Sequence, residues 1–411
     1  MKKHIKILKK KLQSYNPRLK EECGVFGISN AKDASALTAL GLHALQHRGQ
    51  EGCGIVTFDG EKYYSEKRFG LVGDNFNKEK VLNNLKGNYA IGHNRYSTTG
   101  NNILRNIQPF FADTNAGGIG VAHNGNLTNS IALRNKLVED GAIFYTTSDT
   151  ETIVQLIAKS KRPKTIDKVI DAIFQIQGGY ALVMLTQNSL IGVRDPYGIR
   201  PLVIGKLGNS YVLASETCAF DIIGAKFVRE VENGEIVLIE NNELKSIKPF
   251  PAKKVRPCVF EYIYFSRPDS LIGGKTAYEH RKNIGRELAK ENDTDADIVV
   301  PVPDSGNAAA IGFAQELIES VDNPDKDQLE ASQIIQENHK NLMLLMDSAA
   351  EYASLIADNF KLSKSDIRFV DLIHDIEDSV KKVSKDEKTE LTYGKISSSL
   401  EFRVNLNWIS A

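Results

Sequence analysis

Residues 21–27 read Glu-Glu-Cys-Gly-Val-Phe-Gly, and Cys23 among them is a candidate nucleophile. A free cysteine has a pKa of about 8.5, so little of it is thiolate at neutral pH. Cleavage after Glu22 would give Cys23 an α-amino group with a pKa of about 8, which can act as its base. The same segment is also typical of a buried cysteine at the start of a strand. Both interpretations stay open on this segment alone.

Composition restricts the class of protein. The chain has 411 residues, the length of two or three domains. It carries 52 basic and 52 acidic residues, which argues against dominant attraction to nucleic acid or to anionic membranes. No apolar run is long enough to span a bilayer, and no Cys-x-x-Cys pair occurs among the four cysteines. We therefore expect a cytoplasmic protein from a reducing compartment, without a nucleic-acid or membrane partner.

The first half of the chain favours strands separated by Gly/Asn turns, from Cys23 to about residue 247. Residues 180–185 and 235–239 read as buried strands. Residues 34–46 and 149–160 read as helices, the second with acidic residues in its first turn. Because strands and helices are segregated, the pattern predicts stacked layers rather than alternating βαβ units.

The second half begins after a Pro/Lys-rich linker at residues 248–257. A helix over 277–291, a strand over 296–303 and a helix over 307–320 predict the start of a parallel α/β unit. A long amphipathic stretch at 329–360 then predicts a helix that packs against another element.

Four further strings are informative in combination: Gly92-His-Asn-Arg-Tyr-Ser-Thr-Thr-Gly100, His123-Asn-Gly-Asn126, Thr147-Ser-Asp-Thr-Glu151 and Arg194-Asp-Pro-Tyr-Gly-Ile-Arg-Pro201. Singly, each has an ordinary structural explanation, such as a hairpin turn for Asn-Gly or a helix cap for Ser-Asp-Thr-Glu. Together, and after Cys-Gly-Val-Phe-Gly, they resemble the class II glutamine amidotransferases, which use an N-terminal cysteine. The resemblance implies two stacked antiparallel sheets covered by helices on both sides.

Amide hydrolysis by a thiolate explains these residue types. The reaction passes through a tetrahedral oxyanion, for which Asn124 can supply a side-chain amide and Gly125 a backbone N–H. Glutamine also carries an α-carboxylate, suited to Arg95, and an α-ammonium, suited to Asp149. The resemblance implies these roles, with Cys23 as nucleophile. It further places Thr98 in the glutamine pocket and Arg48 near the nucleophile.

Two more strings narrow the resemblance: Ala44-Leu-Gln-His-Arg-Gly-Gln-Glu51 and Cys258-Val-Phe-Glu-Tyr-Ile-Tyr-Phe-Ser-Arg-Pro-Asp-Ser270. They resemble the amidophosphoribosyltransferase family over about residues 22–315. That family transfers ammonia from glutamine to phosphoribosyl pyrophosphate in purine synthesis, giving phosphoribosylamine. The resemblance implies a homo-oligomer, and its iron–sulfur branch implies a removable propeptide. It also implies Cys258 as a ligand of a 4Fe-4S cluster and Ser305 as a magnesium ligand.

The chain departs from this pattern after Gln315. The family's phosphate-binding string, Asp-Asp-Ser-Ile-Val-Arg-Gly-Thr-Thr, is missing, and no cysteine follows Cys258, so three of the four cluster ligands are missing. Residues 327–411 loosely resemble the helical dimerisation segment of sensor histidine kinases. We therefore expect a complete glutaminase half and a doubtful transferase step. The alternatives are a degenerate, non-catalytic fusion with a helical association tail and a stand-alone glutaminase that supplies ammonia to a partner.

The predicted fold is α+β: an N-terminal-nucleophile αββα sandwich, a partial phosphoribosyltransferase unit and a helical tail. The corresponding domains are a propeptide at 1–22, a glutaminase at 23–250, a partial transferase at 256–316 and a tail at 327–411.

Overall fold

Two antiparallel sheets form the centre of the N-terminal part of the chain in the computed structural model. The model describes residues 23–77, 79–96, 103–115, 117–292, 296, 298–320, 333–334, 337, 365–368 and 401–404. The first sheet has the spatial order β11 (Lys226–Glu230), β9 (Val203–Leu207), β10 (Ser210–Ala214), β1 (Gly24–Ile28), β4 (Tyr89–Arg95), β2 (Gly52–Phe58) and β3 (Tyr63–Phe69). The second has the order β13 (Glu243–Ile247), β12 (Ile236–Glu240), β8 (Leu190–Arg194), β7 (Gly178–Thr186), β6 (Gly117–Leu127) and β5 (Phe110–Thr114).

The alternation of side chains along each strand builds the layers. In β1, Val25 points into the cluster between the two sheets, while Phe26 packs in the cluster on the outer face of the first sheet. In β6, Ala122 lies in the cluster between the sheets and Val121 in the cluster outside the second sheet. Both faces of each sheet are therefore buried, which explains the nearly continuous apolar runs of the central strands.

Helices cover the outer face of each sheet. α1 (Ala34–Ala44) lies on the first sheet, where a Cβ on Gly41 would come within 2.3 Å of the Phe26 ring. α5 (Thr150–Lys159) and α6 (Thr165–Ile173) pack on the second sheet. The remaining helices of this region are α2 (Val72–Asn75), α3 (Glu79–Asn83), α4 (Ser130–Glu139) and α7 (Cys218–Asp221). The arrangement confirms the predicted four-layer αββα sandwich.

The region after the linker contains a pair of helices. A π-helical turn (Glu261–Phe265) and a two-stranded ribbon, β14 (Leu271–Ile272) with β15 (Lys275–Thr276), lead into α8 (Ala277–Glu291). The Thr276 side chain and Glu279 form a capping box that starts α8. α8 packs closely on α9 (Gly306–Glu319), because Gly285 and Gly312 let each helix approach the backbone of the other.

The strand predicted over 296–303 does not form in the described part of that segment. Residues 298–303 have no strand assignment, and Ile298, Val300 and Val302 are 76%, 79% and 81% exposed. A parallel strand is stable only beside neighbours that accept and donate its backbone hydrogen bonds. The described residues place no such neighbour beside this segment, and the prediction of a strand there was wrong.

The chain divides into two compact units, Met1–Leu342 and Met343–Ala411. The described residues of the second unit form one antiparallel pair, β16 (Ser365–Arg368) with β17 (Glu401–Val404). The pair lies within residues 327–411, where only a helical tail was predicted. Most of that tail, and the predicted propeptide at 1–22, lie outside the described residues. In the described ranges no helix has both the length and the apolarity needed to cross a bilayer.

Candidate functional site

Cys23 lies at the entry to β1, with a 6% exposed side chain. The antiparallel register of β1 with β4, Gly24 opposite Asn94, brings the cysteine to the end of β4. Its Sγ lies 3.4 Å from both the backbone N and the carbonyl O of Tyr96. A backbone N–H directed at the sulfur favours the thiolate, which is the reactive form.

A buried arginine holds the backbone of Cys23. Arg48 is the last residue of a short 3₁₀ turn after α1 and is 1% exposed. It donates from Nε to the Cys23 carbonyl at 3.1 Å. Its guanidinium also pairs with Glu216, and with both oxygens of Glu261 at 2.9 and 2.6 Å. Burial alone would lower the pKa of Arg48, but the two carboxylates raise it above its ordinary value. Arg48 is therefore in direct contact with Cys23, the residue predicted to be the nucleophile.

Asn124 and Gly125 lie near the end of β6. Asn124 is fully buried, and no described residue hydrogen-bonds to either atom of its side-chain amide. Gly125 has φ +147°, and a Cβ there would lie 2.1 Å from the Gly179 carbonyl on β7. An unpaired buried amide costs about 1–3 kcal/mol, which a functional site can retain when a ligand supplies the partner.

Arg95 and Asp149 are buried charges at the ends of two different elements. Arg95 ends β4 and is 4% exposed; burial lowers its pKa, while Cys23 and Glu51 act to raise it. Asp149 immediately precedes α5, is 7% exposed, and accepts a hydrogen bond from the Leu127 N–H at 2.9 Å. Asp149 is thereby anchored to the same strand that carries Asn124 and Gly125.

A histidine pair joins the two halves of the site. His93 on β4 donates from Nε2 to the carbonyl of His123 on β6 at 3.1 Å. His123 in turn lies 3.0 Å, through Nδ1, from the hydroxyl of Thr150. Burial lowers the pKa of both histidines, that of His93 to about 3, so both are neutral at physiological pH. These contacts connect the strand of Arg95 with the strand of Asn124 and the start of α5.

The structure therefore places Cys23 and Arg95 at strands of the first sheet, and Asn124 and Gly125 on a strand of the second sheet to which Asp149 is hydrogen-bonded. Thr98 lies outside the described residues. Sequence reasoning missed His93, Glu216 and Glu261. Glu216 and Glu261 are far from Arg48 along the chain, and no local pattern predicts those pairs.

Known proteins resemble this chain over about 72% of its length. The family profile described as "Glutamine amidotransferase domain" matches residues 93–221. The amidophosphoribosyltransferase of Rhizobium etli is 55% identical over 303 residues, which cover 72% of this chain and 61% of the relative. The Bacillus subtilis enzyme is 46% identical over 298 residues, covering 72% and 62%. The chain belongs to the amidophosphoribosyltransferase family.

A solved structure supports the assignment. The glutamine phosphoribosylpyrophosphate amidotransferase from B. subtilis, complexed with ADP and GMP, matches with a TM-score of 0.68 and 42% identity over 75% of this chain and 70% of that one. The αββα sandwich is thus the N-terminal-nucleophile glutaminase fold of amidophosphoribosyltransferases. This member spans about three fifths of the length of the curated relatives, 61% and 62%.

The two metal ligands expected from amidophosphoribosyltransferases, Cys258 and Ser305, both lie in the described residues. No group of three or more His, Cys, Asp or Glu side chains there is arranged to hold a metal ion. Cys258 is half-buried, whereas Cys23, Cys53 and Cys218 are buried and lie in the glutaminase sandwich. Ser305 lies at the start of α9 beside the exposed Asp304. The described residues thus do not fit a 4Fe-4S cluster, which needs four ligands. Magnesium takes few protein ligands, so the role of Ser305 stays a prediction.

Proposed function

We propose that this chain hydrolyses glutamine to glutamate and ammonia, with Cys23 as the nucleophile. The observation that carries the proposal is the buried, unpaired amide of Asn124 beside the constrained backbone of Gly125. A pair of preorganised donors at this position is what a tetrahedral oxyanion requires, and each such donor is worth a factor of about 10²–10³ in rate.

The proposed steps conserve atoms and charge. Hydrolysis of the Glu22–Cys23 peptide bond by water removes residues 1–22 and frees the α-amino group of Cys23, which takes the thiol proton. The thiolate attacks the side-chain carbonyl carbon of glutamine, and Asn124 and Gly125 donate hydrogen bonds to the oxyanion. Its collapse releases ammonia, which receives the proton from the α-ammonium of Cys23, and leaves a thioester. Water then attacks the thioester, releasing glutamate and restoring the thiol.

Two buried charges would position the substrate. Arg95 suits the α-carboxylate of glutamine, because guanidinium and carboxylate can form two parallel hydrogen bonds. Asp149 suits the α-ammonium. Both charges are already desolvated in the free protein, so less of their hydration is lost on binding.

The transfer of ammonia to phosphoribosyl pyrophosphate is the activity that family membership suggests for a full-length enzyme. We propose that residues 23–320 do not carry out this step. The described part of 256–320 contains two helices, a ribbon and an unpaired apolar segment at 298–302, and it does not form a sheet that could present a phosphate loop.

The test is a glutaminase assay on the full chain, in which glutamate and ammonia are measured with and without phosphoribosyl pyrophosphate. We expect equimolar glutamate and ammonia and no phosphoribosylamine. Cys23→Ala should abolish turnover. Cys53→Ala is the matched control, since the Cys53 thiol is buried and burial raises its pKa to about 12. Full turnover by Cys23→Ala would contradict the proposal for Cys23, and phosphoribosylamine formation would contradict the proposed loss of transfer.

A further inference from the structure

His93 is a polar side chain that points between two sheets held together mainly by apolar contacts. Its neighbours in that layer include Val25, Ile91 and Ala122. Burying an imidazole there is unfavourable unless it makes a hydrogen bond, and the bond that it makes crosses from one sheet to the other. Because a carbonyl only accepts, Nε2 of His93 carries the proton.

The hydrogen bond from His93 to the His123 carbonyl joins two backbone segments that carry proposed site residues. His93 pairs with Val25 in the β1–β4 register, two residues from Cys23, and lies two residues before Arg95. The carbonyl of His123 belongs to the same rigid peptide plane as the N–H of Asn124. Fixing this carbonyl therefore fixes the backbone from which the Asn124 side chain projects.

The accepting side is held firmly as well. The His123 N–H donates to Oε1 of Gln108 at 2.8 Å, and its ring contacts the Thr150 hydroxyl, next to Asp149. The accepting carbonyl is therefore held in place, and the donor side of the cross-sheet bond depends on His93.

We propose that His93 is a positioning residue that sets the separation between the Cys23 thiolate and the oxyanion donors Asn124 and Gly125. This inference rests on the proposed function. His93 acts through the cross-sheet bond and does not touch glutamine. A misplacement of about 1 Å in a preorganised site can cost a factor of about 10² in rate. The loss falls on kcat, because the oxyanion forms only after glutamine has bound.

The experiment compares His93→Leu with His93→Gln in the full chain. The glutamine amide nitrogen can replace Nε2 as a donor to the His123 carbonyl, whereas leucine fills the space without donating. We expect His93→Leu to lower kcat by about 10- to 100-fold with KM for glutamine little changed, and His93→Gln to recover most of kcat.

Tyr63→Phe provides the matched control. The Tyr63 hydroxyl also donates across the sheets to β6, to the Gly118 carbonyl at 2.8 Å, but at the end remote from Asn124. We expect this variant to melt at a lower temperature and to keep its kcat. Should His93→Leu not fold, His93→Asn replaces it, because its shorter amide does not reach the carbonyl, and the same kcat loss is expected.

Three results would overturn the inference while leaving the proposed function intact, provided that the wild type is active. The first is a fully active His93→Leu variant, and the second is an equal loss of kcat in the leucine and glutamine variants. The third is a loss of kcat in Tyr63→Phe that matches the loss in His93→Leu. A wild type that does not turn over glutamine would overturn the proposed function, and this inference with it.

Discussion

Replacing Glu261 with glutamine tests how the segment after the linker supports the nucleophile. Glu261 accepts two hydrogen bonds from Arg48, at 2.9 and 2.6 Å, and one from the Ser266 hydroxyl at 3.1 Å. The substitution keeps the shape of the side chain but removes the charge and one acceptor. Arg48 is then left buried with one close carboxylate, that of Glu216.

The size of the effect follows from these contacts. A hydrogen bond to a charged group is worth about 1.5–3 kcal/mol, and breaking a buried ion pair costs about 3–5 kcal/mol. Because Glu216 remains and glutamine still accepts one hydrogen bond, we expect the free energy of unfolding to fall by about 2–4 kcal/mol. We also expect a lower kcat for glutamine, since Arg48 holds the Cys23 carbonyl.

Urea denaturation of the purified variants measures the change, with the slope of the transition checked for constancy. Glu287→Gln is the matched control, because Glu287 pairs with Lys290 at 3.0 Å on the exposed face of α8. Solvent screens that pair, so no measurable change is expected. A Glu261→Gln variant as stable and as active as the wild type would refute the role assigned to the cluster of Arg48, Glu216 and Glu261.

Three further predictions concern the site. Asp149→Asn should raise KM for glutamine at least about tenfold, because the buried charge for the α-ammonium is lost; an unchanged KM in steady-state assays would contradict this. Gly125→Ala should abolish most turnover, because the added Cβ would clash with the Gly179 carbonyl. Gly141→Ala is the control: Gly141 also has a positive φ, but its Cβ would meet no other atom, so only the melting temperature should fall. Burial lowers the pKa of His93 to about 3, so between about pH 3 and pH 6.5 only the unfolded state binds that proton. Stability should therefore fall as pH drops from 6.5 towards 3, and His93→Gln should show a shallower slope in denaturation measured across that range.

A layered arrangement of strands and helices was predictable from local signals in the sequence, whereas the two-sheet sandwich was implied by the resemblance to class II glutamine amidotransferases. The buried strands β7 and β12 appear as short apolar runs between turn residues, and α1 and α5 appear as apolar spacing with suitable ends. The resemblance pointed to the residues of the site, Cys23, Arg95 and Asn124 among others, and the chemistry of an amide substrate explains their types.

The contacts that organise the site were not predictable in the same way. The partners of Arg48 lie 168 and 213 residues away, and their approach depends on the completed fold. The cross-sheet bond of His93 could not be predicted either, because the sequence of its motif does not show which histidine faces the other sheet. The prediction of a strand at 296–303 was wrong although the local pattern there is apolar. A strand also needs a neighbouring strand, and a local pattern does not show whether one is present.

Covalent labelling of the purified full chain with 6-diazo-5-oxonorleucine, a glutamine analogue that captures catalytic thiolates, tests the account most directly. Intact mass and peptide mapping would locate the adduct. The account predicts a chain that begins at Cys23 and carries one adduct on that residue, with Cys53, Cys218 and Cys258 unmodified. The absence of an adduct, or an adduct on another cysteine, would contradict it.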